Sequence, residues 1–179
     1  MAIRTEMTHS LQALFSPRSI AVVGASQDVQ RIRGRLLRQL LDGGFAGPVH
    51  PVNPSSATIQ GLKAYPSVAL LPEPVDLALI AVAAQQVMEV LEQCARRGVR
   101  AAAIFTAGAN GVPVGQRLQD QVAAFARRSG MRILGPNAEG FIDTEGQLLA
   151  TFSPTLQHVP PLPRGALPRR GRVSIVSQS

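Results

Sequence analysis

Few side chains in this sequence are placed to do acid–base, nucleophilic or metal chemistry. The histidines are His9, His50 and His158, and the one cysteine is Cys94. His50 falls inside a short apolar run and reads as a packed or rim residue. His158 falls among prolines, and Cys94 falls on the apolar face of a helix. No His, Cys, Asp or Glu cluster has the spacing of metal ligands. Ser26 has no base at motif spacing, which argues against a nucleophile. What stands out instead is backbone. Gly24-Ala25-Ser26, Asn53-Pro54-Ser55, Ala83-Ala84, Thr106-Ala107-Gly108 and Gly135-Pro136-Asn137 each follow an apolar run and are small or amide residues. Such residues let N–H groups come close to a ligand without steric conflict. That suits a nucleotide or a diphosphate, and it does not resemble a hydrolase site. Glu139 is the one carboxylate beside such a loop, and it reads as a cap or an exposed acid.

The second candidate feature is cationic. Arg31, Arg33, Arg35 and Arg38 sit just after Gly24-Ala25-Ser26, where the next helix would start. A helix N-terminus favours an anion, and arginine matches phosphate with paired donors. For any one of these arginines a solvated helix face is an equal reading, but at least one of Arg31, Arg33 and Arg35 is expected to reach a phosphate. A dinucleotide site would want Gly-x-Gly-x-x-Gly and an acid closing the second strand. The loop reads Gly24-Ala25-Ser26-Gln27-Asp28-Val29, and the second strand ends in Asn53. Both departures count against NAD. Coenzyme A, with a diphosphate and a separate 3′-phosphate, is richer in charge and fits an arginine cluster better.

The elements that would position these loops are legible as alternating apolar runs. Ile20–Val23, Pro48–Val52, Leu77–Val82, Ala101–Phe105 and Met131–Leu134 are short and apolar enough to be strands buried on both faces, as parallel strands are. Between them lie amphipathic stretches. Ile32–Leu41 carries Leu36, Leu37, Leu40 and Leu41, Gln85–Arg97 carries Val87, Val90, Leu91 and Cys94, and Gly115–Ser129 carries Leu118, Val122 and Phe125, all at helical spacing. The alternation predicts an α/β fold: a Rossmann-like, doubly wound, mainly parallel sheet with helices on both faces. Ligands in such sheets sit beyond the carboxyl ends of the strands, where the small-residue loops fall. Phe141–Phe152 reads as a β-hairpin around Glu145-Gly146, Pro154–Arg170 as an irregular, proline-rich segment, and Arg172–Val176 as the start of a further strand.

Size and composition bound the rest. The chain has 179 residues, 45% of them hydrophobic and 16% charged, which suits one globular domain. No apolar run approaches the ~20 residues needed to cross a bilayer. A single cysteine precludes an internal disulfide and agrees with a reducing compartment. A cytoplasmic location, without membrane attachment, is the expectation. The net charge is +7, but the arginines are dispersed and there is one tyrosine and no tryptophan, so no nucleic-acid partner is expected.

Several dispersed segments, in order, resemble a known family. They are Leu14–Ser26 (LFSPRSIAVVGAS), Gly47–Pro54 (GPVHPVNP), Gly61–Val68 (GLKAYPSV), Pro74–Ile80 (PVDLALI), Leu134–Asn137 (LGPN) and Val173–Ser179 (VSIVSQS). Together they resemble the opening of the NDP-forming acyl-CoA synthetases, which include ADP-forming acetate–CoA ligase and are relatives of the succinyl-CoA synthetase alpha subunit. The resemblance covers roughly Leu11 to Ser179.

It implies a first domain that binds coenzyme A. Gly24, Ala25 and Ser26 would meet its phosphates, with Arg31 at a position the family often fills with a basic residue. Asn53 and Pro54 would lie near the adenosine. Val82, Ala83, Thr106, Ala107 and Gly108 would follow the pantetheine arm, and Asn137 would sit near the thiol. It further implies a phosphohistidine in a following domain, with ATP/ADP and Mg bound only through domains beyond this stretch. The stretch itself is then expected to bind without turning over, and its partners are CoA and the other domains or subunits of the parent synthetase. The implied layout is an N-terminal extension over 1–13, the CoA-binding domain over 14–153, a proline-rich linker over 154–170, and the start of a next domain over 171–179. Two departures from the family pattern are Ala83, where a proline is usual, and Glu139, where an apolar residue is common. The alternatives are a CoA- or nucleotide-sensing regulatory domain of a protein acetyltransferase, and an NAD(H)-binding module.

Overall fold

The structure is a computed structural model. It describes residues 11–106, 115–156, 171 and 174–176. Five parallel strands form the central sheet: β1 (Ile20–Val23), β2 (Val49–Val52), β5 (Leu77–Ile80), β6 (Ala101–Ile104) and β7 (Arg132–Leu134), in the order β2-β1-β5-β6-β7. Ile20 stands beside Val49 on one flank and Leu77 on the other, and Leu77 in turn beside Ala101. Two antiparallel hairpins flank the sheet, β3 (Thr58–Ile59) with β4 (Leu62–Lys63), and β8 (Gly140–Asp143) with β9 (Leu148–Thr151). Three helices complete the frame: α1 (Ile32–Asp42), α2 (Val87–Arg96) and α3 (Gln116–Ser129).

The period-two alternation of each strand sorts its residues into two cores. Ile20, Val22, Leu77, Leu79, Ala101 and Ala103 face α1 and β9, meeting Leu36, Leu37, Leu40 and Leu148. Ala21, Val23, Ala78, Ile80, Ala102 and Ile104 face α2 and α3, meeting Val87, Leu91, Cys94, Val122 and Phe125. The doubly wound, mainly parallel sheet with helices on both faces is therefore what the alternating runs predicted. The small residues of β6 (Ala101, Ala102, Ala103) let helices approach both faces of the sheet centre.

Some boundaries differ from the sequence expectation. The second helix is preceded by a turn of 3₁₀-helix over Ala84–Gln86, and α3 starts one residue after Gly115. The hairpin β3–β4, too short and too polar to show a strand pattern, was not anticipated. Residues 11–15 are helical, and Ala13 and Leu14 are buried, so core packing begins ahead of Leu14. Of the strand expected over 172–176, residues 172 and 173 lie outside the described residues; residues 174–176 carry no strand pairing to other described residues, and Ile175 and Val176 are exposed. Most of the proline-rich stretch lies outside the described residues, although Pro154–Leu156 form a 3₁₀ turn.

The foot of the sheet, where the strands begin, is clamped by one carboxylate. Asp76, 7% exposed, accepts hydrogen bonds from the Arg18 backbone N–H (2.9 Å), the Arg18 Nε (3.0 Å) and the Arg100 guanidinium (2.7 Å). This joins the segments entering β1, β5 and β6. Burial by itself would raise the Asp76 pKa; the hydrogen bonds from Arg18 and Arg100 outweigh it and hold the carboxyl well below the usual carboxylate range.

Candidate functional site

The strand order reverses direction between β1 and β5: the chain leaves β1 toward β2 on one side, and continues from β5 through β6 to β7 on the other. A crevice opens above the carboxyl ends of strands at such a switch point. Gly24, the first residue past β1, has φ +87°, and a Cβ there would lie 2.4 Å from the Ala81 carbonyl oxygen. Only glycine lets the β1 loop press this closely on the end of β5. The chain then passes through Ala25–Gln30 into α1, whose N-cap residue Arg31 provides no side-chain cap; the first turn carries no acid. The first-turn N–H groups of that helix thus have no side-chain cap; the one acid just ahead of it, Asp28, receives the Gln30 N–H and pairs with Arg31.

The loop itself is held from outside. Gln60, at φ +49° in the β3–β4 turn, donates from Nε2 to the carbonyls of Ser26 (3.0 Å) and Gly34 (2.8 Å), and its N–H donates to Gln27 (2.6 Å). Gly34 permits this arrangement, since a Cβ there would fall 2.1 Å from the Asp28 carbonyl oxygen. Asn53 closes the other side: its Nδ2 donates to the Ala25 carbonyl (2.8 Å), and its Oδ1 accepts the Ser55 N–H (2.8 Å). Ser26 Oγ accepts the Asp28 N–H, a local turn contact. With the carbonyls of Ala25 and Ser26 occupied, the N–H groups of Ala25, Ser26 and Gln27 have no acceptor among the described residues, although Ala25 is wholly buried. The Ser26 and Gln27 donors are open to an outside acceptor, and the buried Ala25 donor is left unpaired among the described residues.

Two cavities open at this crevice. The larger, about 640 Å³, is bounded by Arg31, Ile32, Ala81, Ala83, Phe105 and Thr106 among others. The smaller, about 410 Å³, is bounded by Gly24, Asn53, Pro54, Ser67, Gln86 and Glu89 among others. Arg33 and Val82 border both. The larger has Ile32, Ala81, Val82, Ala83 and Phe105 among its lining, and the Thr106 hydroxyl there donates to the Val82 carbonyl at 2.8 Å. The smaller has a mixed lining, in which Asn53, Ser55, Ser67, Gln86, Glu89 and Arg33 stand among valines and prolines.

Of the residues expected from sequence, Arg31, Val82, Ala83 and Thr106 thus border the larger cavity, and Gly24, Asn53, Pro54 and Val82 the smaller. Ala25 and Ser26 border neither; Ala25 is wholly buried and part of the core. Asn137, at φ +60°, lies past β7 at the same edge of the sheet, with its N–H on the Thr106 carbonyl (3.1 Å), but outside both cavities. Ala107 and Gly108 lie outside the described residues. Sequence reasoning passed over Gln60, Gly34, Phe105 and Glu89. A glycine inside a strongly patterned helix was the available signal for Gly34; Gln60 carried none, because its role depends on the unanticipated hairpin.

The other reactive groups are accounted for structurally. Cys94 is buried in α2, and burial pushes its thiol up to about 12, which leaves it without thiolate character. His50 sits in β2 with its ring edge on Tyr65 and Nε2 3.6 Å from Glu73. Among the described residues no three His, Cys, Asp or Glu side chains are grouped to hold a metal ion, and no helix is long and apolar enough to cross a membrane.

Switch-point crevice, glycine-pinned loop and uncapped helix together define a doubly wound domain built to bind a phosphate-bearing cofactor. A family profile described as CoA binding domain matches residues 18–143, and the chain belongs to that family. It is a CoA-binding domain of the kind carried by NDP-forming acyl-CoA synthetases. Acetate–CoA ligase [ADP-forming] I subunit alpha from Pyrococcus furiosus is 38% identical over 171 residues, 93% of this chain and 37% of that protein. 4-Hydroxybutyrate–CoA ligase [ADP-forming] from Nitrosopumilus maritimus is 33% identical, covering 93% of this chain and 22% of that protein. Among solved structures, the apo form of dinucleotide forming acetyl-coenzyme A synthetase 1 from Ca. Korarchaeum cryptofilum superposes with a TM-score of 0.74 at 42% identity, over 80% of this chain and 31% of that one. The chain thus spans well under half the length of these relatives.

Proposed function

We propose that this chain binds coenzyme A in the two-part crevice and presents its thiol to the acyl-transfer centre of a longer acyl-CoA synthetase. The adenosine sits in the smaller cavity beside Asn53 and Pro54, the phosphates meet the loop Gly24-Ala25-Ser26 and the arginine-bearing start of α1, including Arg31, and the pantetheine arm runs over Val82, Ala83 and Thr106. Ala107, Gly108 and Asn137 continue the path toward the thiol. The observation that carries the reading is the loop Ala25–Gln27, whose N–H groups have no acceptor among the described residues, leading into a helix start without a side-chain cap beside two cavities that share Arg33 and Val82. CoA is a long molecule with an apolar arm, a polar nucleoside and a diphosphate between them, and the crevice has that order of character.

CoA supplies the thiol that becomes the thioester; the residues here bind and orient it. Activation of a carboxylic acid, with a phosphohistidine, ATP/ADP and Mg, belongs to further domains or subunits, and the parent works in the cytoplasm. In the layout we propose, residues 1–13 extend the CoA-binding domain 14–153, residues 154–170 link it onward, and 171–179 open the next domain.

Thermal unfolding with added CoA or NADH tests the reading. CoA at ~100 times its dissociation constant stabilises by about 2.7 kcal/mol, and NADH leaves the melting temperature unchanged. A shift with NADH and none with CoA would overturn it.

A further inference from the structure

Four arginines crowd the first helix, and the structure assigns three of them elsewhere. Arg31 Nε lies 3.2 Å from Asp28 Oδ2. Arg35 donates to the carbonyls of Gln30 (2.8 Å) and Phe152 (3.3 Å), tying the loop to the end of the β8–β9 hairpin. Arg38 pairs with Asp42 at 2.7 Å. Arg33 alone of the four makes no side-chain hydrogen bond or ion pair among the described residues, and it borders both cavities.

Resting on the CoA reading above, we infer that Arg33 is the side chain that engages the diphosphate of the bound cofactor and fixes where the molecule crosses from one cavity to the other. Among the described residues Arg33 is the only cationic one bordering the smaller cavity, where Glu89 adds a carboxylate. That cavity therefore suits the nucleoside better than a dense anion. Arg31 and Arg35 border only the larger cavity, and both are committed to protein oxygens. The one segment of CoA that must pass the shared boundary is the diphosphate, which joins the nucleoside to the pantetheine arm. A guanidinium at that boundary can present paired donors to adjacent phosphoryl oxygens. The first-turn backbone of α1 beneath it adds the positive end of the helix dipole. Arg33 thus becomes a positional marker as well as a charge, because an anion held there leaves the adenosine on the Asn53 side and the arm on the Phe105 side.

The assignment separates the diphosphate from the 3′-phosphate, which CoA has and dephospho-CoA lacks. Isothermal titration of the 179-residue chain and its Arg33→Ala, Arg33→Lys and Arg31→Ala variants with both ligands is the test. Arg33→Ala is expected to weaken CoA and dephospho-CoA by the same factor, about ten-fold or more, with Arg33→Lys intermediate and Arg31→Ala affected less. The melting temperature of unliganded Arg33→Ala should match that of the original chain, since the replaced side chain has no hydrogen-bond or ion-pair partner among the described residues. Unchanged affinity for both ligands in Arg33→Ala would overturn the assignment while leaving the CoA reading intact. A loss confined to CoA would also overturn it, moving Arg33 to the 3′-phosphate. Failure of the unsubstituted chain to bind either ligand would remove both the assignment and the reading beneath it.

Discussion

The two ends of the same parallel sheet use arginine in opposite ways. At the foot, Arg18 and Arg100 converge on Asp76, a carboxylate only 7% exposed, so both guanidiniums have a fixed anion. At the mouth, Arg33 borders both cavities without an ion pair among the described residues, and the neighbouring loop N–H groups lack acceptors among them. Chemistry alone does not separate the two sets of arginines. What separates them is whether a fixed anion is supplied by the chain. Where it is, the group locks the fold; where it is not, the fold holds a charge in reserve for something that arrives. The price in stability falls at the mouth, in loops pinned by glycine and by a borrowed glutamine.

That contrast can be broken at several points, with effects of decreasing size. Gly24→Ala should be the most damaging, because it forces a Cβ onto the Ala81 carbonyl at positive φ. A loss of at least about 2 kcal/mol is expected, read by urea unfolding, together with loss of CoA binding. Asp76→Asn should come next, at roughly 1–3 kcal/mol from weakened charged hydrogen bonds, with CoA affinity at pH 7 unchanged. Its pH signature has a definite sign. The folded-state pKa of Asp76 is depressed, so its contribution is fully present above the ordinary carboxylate pKa of about 4 and is lost as pH falls from there toward the folded value. Acid unfolding curves should therefore be shallower in Asp76→Asn than in the original chain. If the substitution instead weakened CoA binding at pH 7, the two ends would not be separable.

Gln60→Ala sharpens the comparison from the other side. It frees the carbonyls of Ser26 and Gly34 and should cost about 1 kcal/mol, with a several-fold weaker CoA affinity because the loop donors lose their fixed direction. An affinity loss no greater than the stability loss accounts for would make Gln60 a purely structural brace. Smallest of all should be the effect of Arg33→Ala on unliganded stability, within about 0.5 kcal/mol by chemical denaturation. A larger cost would show that the mouth, like the foot, relies on its arginine to fold.

How much of this was legible beforehand depends on the range of the interaction. The five core strands and three helices followed from local periodicity, because each buries a face that repeats every second residue or every three to four. The loops Gly24–Ser26 and Asn53–Ser55 were legible as small-residue exits from strands. The hairpin β3–β4 was not, since two-residue strands leave no period to detect. Arginine clustering at α1 was visible, while the difference between Arg31 and Arg33 was not, because it rests on where Asp28 turns back toward the helix.

The sequence by itself determined which segments are buried, that the strands run parallel with helices between them, and that the exits of the strands are lined by backbone and small side chains. Those properties are written in local periodicity and residue size, which need no knowledge of distant neighbours. Only the tertiary structure decided the strand order, the switch point between β1 and β5, and the reach of Gln60 across to the loop. Each of those depends on two segments far apart in the chain meeting in space, and a hydrogen bond or an ion pair exists only once that meeting has been fixed.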